Sequence, residues 1–208
     1  MTKNIFALMV SVFSVVAISS ASFASSTEHT RIANTSGQDD GGSLPSGIDV
    51  NFERPCHTEG DDSLTDHLKF LGTRWTMTHT AYEDAACSKA YLIYELKYKV
   101  AIRDHDLNMT AYEAAYTVLT EQVARALNMI SYCGFKDWKA NERRVVTGLQ
   151  CEDYHVPAEG DILYSFFQLS KKDEKTVQIQ LGMPSKDLDG KSAERRFQEL
   201  DPLAFLKQ

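Results

Sequence analysis

The chain has 208 residues with 22 Lys and Arg against 29 Asp and Glu, a formal net charge of −7. An acidic balance repels phosphates and anionic lipid heads, so it argues against a nucleic-acid-binding protein and against simple attachment to a membrane surface. The length suits one domain with one core once terminal segments are set aside.

The chain opens with Lys3, an apolar run from Ile5 to Ile18, and the small-residue stretch Ser19-Ser20-Ala21-Ser22-Phe23-Ala24. This is the three-part pattern of an export signal, with cleavage expected after Ala24. The apolar run is shorter than the roughly 20 residues that a span needs, and no later run is long enough, so no membrane span is expected. The reading places the mature protein outside the cytoplasm, secreted or periplasmic.

Residues 25–55 follow, rich in Ser, Thr, Gly, Asp and Asn through Ser36-Gly37-Gln38-Asp39-Asp40-Gly41-Gly42-Ser43, and they read as a flexible leader. A single ordered domain is expected over residues 56–208. It contains all four cysteines, Cys56, Cys87, Cys133 and Cys151. An even number in an oxidising compartment reads as two disulfides. Three pairings are open; we favour Cys56 with Cys87 and Cys133 with Cys151, each closing a loop of moderate length.

The first expected strand runs from Phe70 to Thr80 around Trp75 and Met77. The clearest pattern follows it: Leu92, Tyr94, Leu96, Tyr98, Val100 and Ile102 alternate with a mostly charged set that includes Glu95, Lys97, Lys99 and Arg103. Period two with one apolar face predicts a long antiparallel strand, one side buried and the other wet. Ala111–Leu119, Ile162–Leu169 and Lys175–Leu181 carry the same signal, the last two forming a hairpin across Lys171-Lys172-Asp173-Glu174. One short helix is expected after Thr120, which can cap it, with Val123, Ala126, Leu127 and Ile130 on one face and Cys133-Gly134 ending it. Long one-sided strands with a single helix predict a mostly β, antiparallel, disulfide-stapled barrel or half-barrel.

Two stretches carry a resemblance. Leu71-Gly72-Thr73-Arg74-Trp75 is similar to the opening of lipocalin-like barrels, although two residues rather than one separate the Gly and the Trp. Ala126-Leu127-Asn128, Cys133-Gly134, Trp138 and Val146-Thr147-Gly148 with Cys151, together with the tail Arg195 to Lys207, resemble the extracellular barrel domain of the adenomatosis polyposis coli down-regulated family, whose vertebrate members antagonise Wnt signalling. The resemblance implies a lipocalin-like barrel whose apolar pocket accepts a fatty acyl chain. It does not carry a Wnt partner with it.

No catalytic constellation stands out: no Ser lies in a Gly-flanked nucleophile turn, no glycine loop cradles a phosphate, and the acid pairs Asp39-Asp40 and Asp61-Asp62 read as solvated charge. His29, His57, His67, His79, His105 and His155 stand apart without metal-ligand spacing, so neither a metal nor a cofactor is expected. The expected pocket is lined by Tyr94, Leu96, Tyr98, Val100, Phe166 and Phe167, beside Tyr164. The same residues also suit a core packed solid, as in many small barrels. The sequence therefore supports a non-enzymatic exported protein that binds an apolar or lipid-like small molecule, or alternatively a filled barrel that acts on a protein partner through its outer surface.

Overall fold

Period-two alternation becomes a closed sheet. In the computed structural model, which describes residues 49–173 and 176–208, the elements in chain order begin with β1 (Asp49–Glu59), β2 (Asp62–Leu71), β3 (Arg74–Tyr82), β4 (Ala90–Arg103) and β5 (Asp106–Val118). There follow α1 (Glu121–Ile130), the short strands β6 (Arg143–Val145), β7 (Gln150–Cys151) and β8 (Tyr154–His155), then β9 (Ile162–Lys171), β10 (Val177–Met183), β11 (Glu199–Leu200) and β12 (Phe205–Lys207). The expected export signal and most of the expected leader lie outside the described residues. The leader's last part does not: β1 begins at Asp49, so the domain starts before Cys56.

Eight strands close a ring in the order β1, β2, β3, β4, β5, β9, β10, β12, all pairs antiparallel, with β12 returning to β1. Closure gives every ring strand a partner on both sides, although β5 meets β9 over only part of its length. β4 shows why these residues choose this form. Leu92, Tyr94, Leu96, Tyr98 and Val100 are buried inside, while Glu95 and Lys97 meet Glu113 and Arg143 on the outside, with Lys97 Nζ 2.7 Å from Glu113 and Arg143 2.8 Å from Glu95.

The expected strand from Phe70 to Thr80 is instead a hairpin. Leu71 pairs with Arg74 across Gly72-Thr73, and Gly72 has φ +59°, where a residue without Cβ is unstrained. Phe70 and Trp75 thus become cross-strand neighbours, their rings perpendicular at 4.1 Å. Around them Phe52, Leu107, Ile179 and Phe205 fill one end of the barrel solidly.

The helix forms as expected at its start, where Val123 N–H donates to the Thr120 hydroxyl at 3.2 Å. Its end differs: Ser131 takes the left-handed conformation at φ 54°, and a 3-10 turn, Tyr132–Gly134, carries Cys133 onward. The two disulfides are Cys56–Cys87 and Cys133–Cys151, with Cα separations of 5.8 and 4.1 Å. The second ties the turn after α1 to the β7–β8 hairpin.

Candidate functional site

Strand register brings chemistry to one level of the barrel. Arg54 on β1 pairs with Asp66 on β2, Asp66 with His79 on β3, His79 with Tyr94 on β4, and Tyr94 with Tyr116 on β5. Residues directly opposite one another lie on the same face of a sheet, so these five side chains form a polar belt round half of the interior. The next level, Phe52, Leu68, Met77, Leu96 and Ala114, is wholly apolar.

Asp66 is the belt's anchor, only 2 % exposed. Its Oδ1 accepts from His79 Nδ1 at 2.8 Å, its Oδ2 accepts from Arg54 Nη1 at 3.3 Å, and His57 Nε2 lies 3.6 Å away. Burial alone would raise the Asp66 pKa, but the His79 hydrogen bond and the charges of His79, Arg54 and His57 outweigh it and hold the carboxyl below its ordinary value. For His79, burial works against the charged ring, yet the bond to Asp66 and that carboxylate's charge prevail and raise its pKa above the ordinary histidine value. Further round the belt, Tyr94 stacks on Tyr116 at 4.5 Å, and its hydroxyl lies 3.2 Å from that of Tyr154 on β8. Burial, followed by the neighbouring tyrosines, pushes the Tyr94 and Tyr116 pKa values far up, so both stay neutral.

Beside this belt lies a cavity of about 680 Å³. Its strand wall is Leu64, His79, Tyr94, Leu96, Tyr98 and Ala111. The opposite wall is built from the short strand β8 and from loops. β5 pairs with β9 only over Asp106–Thr110 and with β6 over Ala115–Thr117. The gap above Ile162 is covered by Tyr154, His155 and Pro157 from one side and by Pro184, Gly190 and Phe197 from the other. Arg196 fixes the second loop, donating to Leu107 O at 3.2 Å and to Asn108 Oδ1 at 2.8 Å. Glu59, Asp161, Asp189 and Lys191, with Ile162 and Leu163 at the start of β9, complete the lining.

Of the six residues expected to line a pocket, Tyr94, Leu96 and Tyr98 border this cavity. The other three do not. Val100 lies deeper, paired with Met109, and Phe167 is buried against Leu181. Phe166 points to the opposite face of β9, where its ring comes within 2.9 Å of where a Cβ on Gly182 would stand. Alternation along β9 forces neighbouring residues to opposite faces, so Phe166 and Phe167 cannot both face one interior. Arg54, Asp66 and His79, whose isolated charges carry no local motif, were not expected in the pocket from the sequence, nor were Tyr154 on the two-residue strand β8 and the loop residues Gly190 and Phe197. Among the described residues, no three His, Cys, Asp or Glu side chains are arranged to hold a metal ion.

Fold and cavity together define an eight-stranded antiparallel barrel with an internal pocket, stapled by two disulfides that fit an oxidising compartment. No protein-family model matches the sequence, and comparison with curated proteins gives no match.

Proposed function

We propose that this is an exported, non-enzymatic barrel protein that holds an apolar or lipid-like small molecule in its interior. The observation that carries the reading is the cavity of about 680 Å³ beside Leu96, Tyr98 and Ala111. Small-molecule sites typically occupy roughly 300–1,000 Å³ with mostly apolar walls and a few placed polar groups. The resemblance to the adenomatosis polyposis coli down-regulated family points the same way, towards an acyl chain.

The test is native mass spectrometry of the protein purified from its own host, followed by denaturing extraction. Extra mass that extracts as a small amphiphile supports the reading. An Ala111→Trp variant should fold, because its added volume enters a cavity, and it should come out without that mass. A bare mass for the unaltered protein, with no gain on adding fatty acids, would turn the assignment towards a protein partner on the outer surface.

A further inference from the structure

The interior is amphipathic in a way that specifies more than an oily guest. His79 Nδ1 is engaged by Asp66 at 2.8 Å, and Asp66 is an acceptor held in its ionised form, so Nδ1 carries the proton of that bond. His79 borders the cavity, and its side chain keeps 27 % of its surface exposed. Nε2 has no hydrogen-bond partner among the described residues. One level away, Leu96 and then Tyr98 with Ala111 continue the same wall without a charge. The cavity thus presents one imidazole at the end of an apolar strip.

We propose that the ligand is an amphipathic acid whose carboxylate seats against the free edge of the His79 ring, with its apolar part along Leu96, Tyr98 and Ala111. The inference rests on the cavity being a ligand site. With His79 protonated, Arg54 and His79 balance Asp66 and Asp201 in formal charge, and Nε2–H is a donor that a carboxylate can meet. With His79 neutral, Nε2 becomes an acceptor, the group as a whole is anionic, and a carboxylate is repelled. The charged and titratable groups around the ring are Arg54, His57 and Glu59 on β1, Asp66 on β2, Tyr94 on β4 and Tyr154 on β8. Glu59 and Asp66 both favour the protonated ring, while Arg54 opposes it. Lys191 adds a positive charge at the cavity lining, whereas Asp189 is already paired with Arg195 at 2.9 Å, and Asp161 accepts from Ala158 N–H at 2.8 Å. Binding of the acid therefore takes up a proton at Nε2 whenever the ring starts neutral.

Decanoic acid and decan-1-ol share a chain and differ in the head group, which makes them the probes. Calorimetric titration of the full protein, stripped of bound small molecules, should show the acid binding at least about tenfold more tightly than the alcohol at pH 6. That preference should shrink by up to about tenfold per pH unit once the pH exceeds the His79 pKa, as expected for uptake of one proton. His79→Gln keeps an amide N–H for Asp66 but cannot become cationic, and it should bind acid and alcohol alike. Equal affinity for the two probes at every pH in the unaltered protein overturns the proposal while leaving the cavity as a ligand site, and so does a preference that survives in a folded His79→Gln. Should that variant not fold, the pH series on the unaltered protein decides. Failure of both probes to bind overturns the cavity reading, and this inference with it.

Discussion

Asp66 and His79 face each other across β2 and β3 with Oδ1 and Nδ1 2.8 Å apart, inside the barrel rather than on its surface. Their pKa shifts run in opposite directions, which gives stability two edges. Asp66, lowered, contributes stability above its unfolded value that is lost as pH falls through the lowered folded one. His79, raised, contributes stability present in full below its unfolded value, about 6.5, and lost as pH rises through its folded one. The melting temperature should therefore fall on both sides of a mildly acidic maximum. Asp66→Ala should flatten both edges and cost about 3 kcal/mol or more in chemical denaturation, because it leaves buried Arg54 without one of its carboxylate partners.

Asp62 behaves in the reverse sense. It is 1 % exposed, Oδ1 accepts from the Tyr91 hydroxyl at 3.0 Å, and Oδ2 has no hydrogen-bond partner. Burial, partly offset by Tyr91 and reinforced by Asp61 and Glu59, raises its pKa to about 6. The folded state then holds the proton more tightly than the unfolded chain, so folding loses stability as pH climbs from about 4 to about 6. Asp62→Asn keeps an acceptor for Tyr91 without the charge. It should be more stable than the parent at pH 8 by about 1–2 kcal/mol, with the gain disappearing at pH 4 in urea denaturation.

The Cys133–Cys151 bridge holds the hairpin that carries Tyr154 to Tyr94. Replacing both cysteines by Ala should cost about 3 kcal/mol in guanidinium denaturation. It should also weaken retention of any small molecule by more than the corresponding change at Cys56 and Cys87. The Cys56–Cys87 bridge joins β1 to the β3–β4 connection, whereas Cys133–Cys151 holds the hairpin whose Tyr154 lines the cavity.

Gly190 and Gly72 form a matched pair of positions, both in the left-handed region at φ +70° and +59°. A Cβ on Gly72 meets nothing within 4 Å, whereas on Gly190 it would stand 2.7 Å from Leu163 Cδ1 and 3.0 Å from the Tyr164 carbonyl oxygen. Gly72→Ala should cost about 1 kcal/mol of backbone strain alone. Gly190→Ala should cost about 1–3 kcal/mol more, measured by thermal melting, and should alter binding because the loop covering the cavity must shift.

How much of this was legible depended on whether a strand's inner face is oily. β4 was legible because its interior residues are all apolar and its exterior ones mostly charged. β1 and β2 were not, since Arg54 and Asp66 stand inside, and a buried ionic cluster erases the alternation that a sequence reader counts. The Gly72-Thr73 turn was hidden for a related reason: Phe70, Trp75 and Met77 look like one continuous apolar segment until the chain reverses between the first two. The aromatic wall was half legible. Tyr94, Leu96 and Tyr98 follow from the period of β4, whereas Phe166 and Phe167 needed a choice of face that adjacency in sequence does not make. Tyr154 in a two-residue strand and Phe197 in a loop obey no period, and only the closure of the chain puts them over the gap.

The ring closes through its shortest strand, the three-residue β12. β12 offers only two register pairs to β1 and two to β10, against nine between β3 and β4. What fastens it is a side chain. Arg54 donates from Nη2 to Asp201 Oδ2 at 2.8 Å and to the Leu203 carbonyl at 2.6 Å, and its guanidinium lies 4.3 Å from the centre of the Phe205 ring. The barrel is thus a sheet rolled into a tube and held by a clasp, and the clasp belongs to the same ionic cluster that orients His79. Whatever changes the charge around Asp66 also tugs at the seam, so the state of the pocket and the tightness of the tube are mechanically one variable.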